Sequence, residues 1–296
     1  MEMLNGRELA KNIKKTITEK IKIITKTTNQ NPALATVLIG ENPASQIYIQ
    51  SKIKACHEVG IKSYHYNLST NATERDIINL INDLNNNSNI NGILLQLPLP
   101  QHSLTNNCIN TINPNKDVDG LHPLSYGRFS LLKSWEDILK SNLLVPCTPL
   151  GIMKLLQYYN IEVNKKLVLV IGRSNLVGKP IAMLMLAKNA TVIMAHSKTV
   201  NLKQLTAIAD IIIIAIGIPN FLSNKYSLKK GVVIIDVGIN RTQHGICGDV
   251  DLDYVKTKNV AISPVPGGVG TMTITMLLEN TLKAFINQNK LKFPQL

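Results

Sequence analysis

Cysteine is scarce and scattered in this chain. Cys56, Cys108, Cys147 and Cys247 form no C-x-x-C pair, and the six histidines form no H-E-x-x-H. Metal-site spacing is therefore absent, no metal is expected, and the sequence offers no disulfide framework. Aromatic residues make up only 4% of the chain, so the stacking side chains that nucleic-acid binders interleave with basic residues are missing. Apolar runs such as Ile211 to Ile216 are far shorter than a membrane-spanning helix requires. The opening Met-Glu-Met-Leu-Asn-Gly-Arg-Glu has no apolar signal core and carries acids that a presequence avoids. A cytoplasmic location is expected, with neither a nucleic acid nor a membrane as partner.

What is present suits a packed globular enzyme. The 296 residues allow one large or two medium domains. A hydrophobic fraction of 45% and a mean hydropathy of +0.07 disfavour disorder. The net charge of +13 could serve an acidic ligand. Lys, Asn and Ile are abundant along the whole chain, however, and the basic residues do not gather into one block. Composition is the simpler explanation of the charge.

Strands alternate with helices. Residues 6–26 carry apolar positions at helical spacing until Asn31-Pro32 breaks the pattern. A strand is expected at Ala33 to Ile39, a helix from Ser45 to Val59, a strand over 61–67, a helix over 73–85, and a buried strand from Asn91 to Leu95. Such alternation implies a mostly parallel sheet covered on both faces. Near 128–146 the pattern blurs. Pro146-Cys147-Thr148-Pro149 then opens a second series, with Thr148 as helix N-cap and Pro149 as first helical residue. Strands are expected at Leu167 to Ile171, Ala190 to Ala195, Ile211 to Ile216 and Val232 to Val237, with a helix at Pro180 to Lys188. The final segment, Thr271 to Gln288, is expected to be helical and to pack back on the first domain. The expected architecture is α/β: two α/β domains with parallel sheets flanking a cleft, the second of Rossmann type. Residues 1–145, completed by a C-terminal helix over 272–296, would form the first domain, and 146–271 the second.

Within the second series, an apolar strand runs into Gly172-Arg173-Ser174 and on to Gly178 and Pro180. A tight turn between strand and helix can present backbone N–H groups to a phosphate. Ser174 stands where the usual dinucleotide fingerprint has its middle glycine, so a plain glycine turn is an alternative reading. The next strand, Thr191 to Ala195, continues into His196-Ser197-Lys198 without the carboxylate that would bind ribose hydroxyls. Arg173, Ser197 and Lys198 would instead welcome a 2′-phosphate. If the domain binds a dinucleotide, NADP is expected.

In the first series Tyr48 and Lys52 are four residues apart, so they share a helix face. Alone, that pair reads as a solvated face. Gln96, however, follows an apolar strand at its carboxyl end, where a buried polar group must find a partner. Lys116-Asp117-Val118-Asp119-Gly120 places carboxylates in a turn, without the spaced ligands of a calcium loop.

Glu41-Asn42-Pro43-Ala44-Ser45, Tyr48-x-x-x-Lys52, Gln96-Leu97-Pro98-Leu99-Pro100, Lys116-Asp117-Val118-Asp119-Gly120, Pro146-Cys147-Thr148-Pro149, Gly172-Arg173-Ser174 and Pro266-Gly267-Gly268-Val269-Gly270 occur in that order over nearly the whole chain. Together they resemble the bifunctional methylenetetrahydrofolate dehydrogenase/methenyltetrahydrofolate cyclohydrolase family. The resemblance implies NADP-dependent oxidation of methylenetetrahydrofolate, then hydrolysis to 10-formyltetrahydrofolate, by a homodimer acting on a small folate substrate. It implies Lys52 as the central residue of the hydrolytic step, held by Gln96. Tyr48 would stack on or line the folate, Leu95 and Leu97 would flank Gln96 in the substrate site, and Asp119 would grip the pterin edge. The loop Pro266, Gly267, Gly268, Val269 and Gly270 would close over the folate. Gly172, Arg173, Ser174, Ser197 and Ile239 would contact NADP.

Two departures from the family pattern stand out. Thr271 occupies a position where the glycine loop usually continues with Pro, and Phe129 to Leu144 reads as a modest insertion or degenerate segment. Three other readings stay open on the sequence. A monofunctional dehydrogenase would lose the Lys/Gln pair. A non-catalytic NADP-binding regulator gives no reason for Tyr48, Gln96 and Asp119. A nucleic-acid binder would rest on charge alone.

Overall fold

A computed structural model describes residues 1–101, 104–243 and 245–291. The chain divides into two compact units. The first unit comprises Asn12–Leu131, Ile138–Cys147 and the chain from Ile274 onward; the second comprises Met1–Lys11, Leu132–Asp137 and Thr148–Thr273. No helix among the described residues is long and apolar enough to cross a membrane.

The first unit is built on a three-stranded parallel sheet in the order Lys62–Leu68, Ala33–Ile39, Gly92–Leu95. All seven residues of Ala33–Ile39 are buried, as expected where helices cover both faces of a central parallel strand. Ala35 and Val37 alternate toward one face and pack with Ile77, Ile81 and Leu84 of the helix Glu74–Asn86. That helix starts where Thr73 and Asp76 form a reciprocal capping box. Its other end is closed by Lys116, whose amine donates to the carbonyls of Leu84, Asn85 and Asn87 at 3.0, 2.8 and 2.8 Å. Lys116 is thus a helix C-cap.

The second unit carries a six-stranded parallel sheet. In spatial order its strands are Glu2–Met3, Ala261–Ile262, Val233–Asp236, Ile211–Ile214, Leu167–Ile171 and Thr191–Ala195. Chain order reverses around Leu167–Ile171: the next strand lies on one side and the one after that on the other. This is the topological switch point, where ligands of open α/β sheets bind. The outermost strand comes from the start of the chain, held by Glu2 N–H to Val260 O and Leu4 N–H to Ile262 O, both 2.8 Å.

Some elements differ from the sequence reading. The helix Cys147–Tyr158 starts before Thr148, so Thr148 lies inside its first turn. Its hydroxyl pairs with Thr273 Oγ1 at 3.0 Å and does not act as N-cap. The stretch from Phe129 to Leu144 is not degenerate: it holds the end of the helix Pro123–Ser130 and all of Trp135–Lys140. Phe129, Trp135 and Ile138 are buried. One or two helical turns are too short to show periodicity, although Ser134 Oγ accepting from Asp137 N–H at 3.0 Å is a capping signal. The strand expected at Ile211 to Ile216 stops at Ile214, because Asp249 captures the N–H groups that follow. The final helix is Val269–Gln288; the expected helical residues 292–296 lie outside the described residues.

Candidate functional site

In the first unit, the helix Pro43–Val59 brings Tyr48 and Lys52 to one face. Lys52 is only 6% exposed. Its amine donates to Gln96 Oε1 at 2.8 Å and lies 4.6 Å from the centroid of the Tyr48 ring, within cation–π range. Gln96 stands just past the strand Gly92–Leu95, with Leu95 buried and Leu97 half-buried on either side. The Leu97–Pro98 peptide is cis.

Burial pulls the Lys52 pKa below the ordinary lysine value, opposed by the charges of Asp119, Cys147 and Cys56. Burial pushes Asp119 up, opposed chiefly by Lys52. Both groups are therefore biased toward their neutral forms, which is how a desolvated site prepares groups to exchange protons near neutral pH. Burial also holds the Cys147 thiol well above its ordinary range, with Asp119 adding to the effect.

The turn that presents Asp119 is fixed from below. Asp117, pushed up to about 7 by burial, accepts from His122 N–H at 2.6 Å. Gly120 has φ +69°, and a Cβ there would lie 2.7 Å from Leu144 O and from Pro146 N, so no side chain fits. Asn280, from the final helix, donates to Val118 O at 2.8 Å and Val145 O at 2.9 Å. Cys147 donates to Val118 O at 3.2 Å. The sequence marks Cys147 only as a scattered thiol and as part of the Pro146–Pro149 motif, and it does not mark Asn280 at all. Neither role has a spacing signature, because both partners are backbone carbonyls.

In the second unit, Gly172 follows the strand Leu167–Ile171 with φ +120°. A Cβ at Gly178 would sit 2.2 Å from Gly172 O, so the helix Gly178–Ala187 starts hard against the turn. Ser174 Oγ accepts from Val177 N–H at 3.1 Å and Gly178 N–H at 3.3 Å, holding that start. Arg173, Ser174, Ser197 and Lys198 are exposed. Ile239, 53% exposed, follows the strand Val233–Asp236. Gly270 approaches it: a Cβ there would lie 3.3 Å from Ile239 Cδ1. The loop from Pro266 to Gly270 is pinned by Gly6 N–H to Gly267 O at 2.8 Å and Gly268 N–H to Pro264 O at 2.9 Å. Gly268 is obligatory, since a Cβ would fall 2.6 Å from Pro264 O. Thr271 lies in the first turn of the helix that begins at Val269.

The sequence-predicted residues thus fall into two groups, each assembled within its own unit. Lys52, Tyr48, Gln96 and Asp119 gather in the first; the glycine turn, Ser197, Ile239 and the Pro266–Gly270 loop belong to the second.

A buried amine and carboxyl in one α/β unit, and a glycine turn at the switch point of the other, define a two-unit α/β protein of the dinucleotide-binding class. Residues 146–289 match the NAD(P)-binding domain of the tetrahydrofolate dehydrogenase/cyclohydrolase family, and residues 4–119 match its catalytic domain. Over 96% of this chain and 98% of the relative, the sequence is 47% identical to the bifunctional protein FolD of a Sulfurihydrogenibium species. The crystal structure of the bifunctional FolD methylenetetrahydrofolate dehydrogenase/cyclohydrolase from Campylobacter jejuni superposes with a TM-score of 0.90 at 45% identity, covering 97% of this chain and 99% of that one. The Trypanosoma brucei FolD, solved with NADP cofactor and inhibitor, gives 0.89 at 32% identity, covering 97% and 98%. The chain belongs to the tetrahydrofolate dehydrogenase/cyclohydrolase family.

Proposed function

We propose that this chain oxidises methylenetetrahydrofolate to methenyltetrahydrofolate with NADP and then hydrolyses that product to 10-formyltetrahydrofolate. The observation that carries this reading is the Lys52 amine, buried, aimed at Gln96 Oε1 and faced by the Tyr48 ring. A purely oxidative enzyme has no use for such a group.

NADP fits the residues of the second unit. The Gly172–Gly178 cradle is closed to any Cβ, and Arg173, Ser197 and Lys198 offer donors without an acid among them. Bound NADP supplies a hydride acceptor. Oxidation leaves the folate as a cation shared by two nitrogens, so the protein needs no strong base for this half and contributes mainly orientation. Tyr48, Leu95 and Leu97 line the folate, and Asp119 holds the pterin edge.

Hydrolysis demands proton transfers. Water adding to the cation sheds one proton; collapse of the adduct moves another from its hydroxyl to the departing ring nitrogen. One proton is released overall. A neutral Lys52 amine accepts from the water, and the resulting ammonium donates to the leaving nitrogen. Gln96 keeps the amine in line, and burial keeps a neutral fraction available.

The chain is further proposed to act in the cytoplasm as a homodimer. Its edge strand Lys62–Leu68, with Tyr64 exposed, supports pairing with a second copy. One absorbance experiment tests the function: protein, methylenetetrahydrofolate and NADP are mixed, and NADPH and the methenyl intermediate are followed. NADPH should form and the methenyl signal should decay faster than without protein. Persistent methenyl signal would make the chain a monofunctional dehydrogenase. No turnover, with salt-dependent retardation of duplex DNA, would establish the reading based on charge.

A further inference from the structure

Asp249 is fully buried, yet its carboxylate is crowded with donors. It accepts from three consecutive backbone N–H groups, Ile216 at 2.8 Å, Gly217 at 3.0 Å and Ile218 at 2.9 Å, and from Asn240 Nδ2 at 2.8 Å. Asp236 stands directly behind it, accepting from Gly238, Asp249 and Val250 N–H at 3.0, 2.9 and 2.9 Å. Burial pushes Asp236 up to about 7, with Asp249 adding to the effect. The stack tolerates no intruding atom. A Cβ at Gly238 would lie 2.2 Å from Asp249 Oδ1, and one at Gly248 would lie 1.9 Å from Asp236 Oδ2.

Two turns flank the switch point of this sheet: the one from Gly172 to Gly178, and the one after Ile211–Ile214. Either could offer backbone N–H groups to a phosphate. In the first turn a neutral hydroxyl, Ser174, holds two of them, and Arg173 stands exposed beside it. In the second turn a carboxylate consumes three in a row. A second phosphate-binding turn is thereby abolished, because its donors are spent and the charge behind them is negative. What the second turn shows to solvent is apolar: Ile218 is 49% exposed, and Ile239, just past the strand that Asp236 ends, is 53% exposed.

We propose that Asp249 is a positioning residue for the dinucleotide. It converts the second turn into an apolar platform for the nicotinamide end and so leaves the phosphates to the Gly172 turn. This rests on the NADP reading above.

The test uses two ligands of the intact protein: NADPH, and adenosine 2′,5′-bisphosphate, which carries the 2′-phosphate but no nicotinamide. Asp249→Asn replaces an acceptor with an amide whose NH2 opposes the N–H groups. It should weaken NADPH by at least about tenfold and change the bisphosphate by less than about twofold. Ile218→Ala removes only an exposed side chain and leaves every Asp249 contact in place. It should weaken NADPH in the same selective way. Equal loss of both ligands in Asp249→Asn would assign Asp249 a purely structural role. Unchanged NADPH binding in Ile218→Ala would overturn the platform, even if Asp249→Asn fails to fold. A parent protein that binds neither ligand would instead overturn the NADP reading itself.

Discussion

Lys52 Nζ donates to Gln96 Oε1 across 2.8 Å, and the opposite end of the same amide, Gln96 Nε2, donates to Leu97 O across 2.8 Å. The second bond orients the first. With its NH2 committed to a carbonyl, the amide must present oxygen to the amine. Lys52 is therefore aimed by the backbone of the segment that follows Gln96, with Gln96 as the link.

Lys52→Met keeps most of the side chain's volume and removes its proton chemistry. Hydrolysis of methenyltetrahydrofolate supplied directly should fall by roughly 10² or more, while NADPH formation survives better. Measuring the two steps separately on folded protein checks this, and equal loss of both would argue against the division of roles.

The rate of hydrolysis should also report the environment of the amine. Burial lowers the Lys52 pKa, so the neutral, proton-accepting form becomes populated at lower pH than for an exposed lysine, and the rate should rise with pH below the usual lysine range. Gln96→Glu places a carboxylate beside the amine, favours the ammonium and raises that pKa. The ascending limb of the pH–rate profile should move to higher pH. A limb that stays in place, or moves down, would remove Lys52 from the base role.

Arg173→Ala tests cofactor choice. With no acid at the end of Thr191–Ala195, the proposed site leaves a 2′-phosphate to Arg173, Ser197 and Lys198. Efficiency with NADP should drop by roughly tenfold, the scale of a lost charge-assisted hydrogen bond, while that with NAD changes little. A parallel loss with both cofactors would place Arg173 outside the phosphate site.

Asn280→Leu should destabilise the protein. Asn280 is buried and serves two buried carbonyls, Val118 O and Val145 O. Leaving them short of a donor costs about 1–3 kcal/mol. Thermal unfolding should move down by several degrees; an unchanged midpoint would mean that the carbonyls find other donors.

Much of this molecule is legible in its residues. Apolar runs such as Leu167–Ile171 announce buried strands, Gly40 and Gly60 mark where elements end, and Tyr48, Lys52, Gln96 and Asp119 emerge from motif and setting together. What escapes is organised through the backbone. Asp236 and Asp249 bind N–H groups, which every residue but proline carries, so neither partner has a residue-type signature. Only the glycines beside them, Gly238 and Gly248, betray the crowding. Lys116 stands in the sequence as the head of a motif, and the helix end that it closes is seen only in the fold. The pairing of Glu2–Met3 with Ala261–Ile262 is invisible for the same reason: two exposed residues have no periodicity.

That last pairing has a bearing on biosynthesis. Glu2 and Met3 leave the ribosome about 260 residues before the strand they join. The large sheet therefore cannot be completed until residue 262 has emerged, whereas all three strands of the smaller sheet are available once residue 95 has emerged. An affinity tag fused ahead of Met1 would burden the slower of the two assemblies.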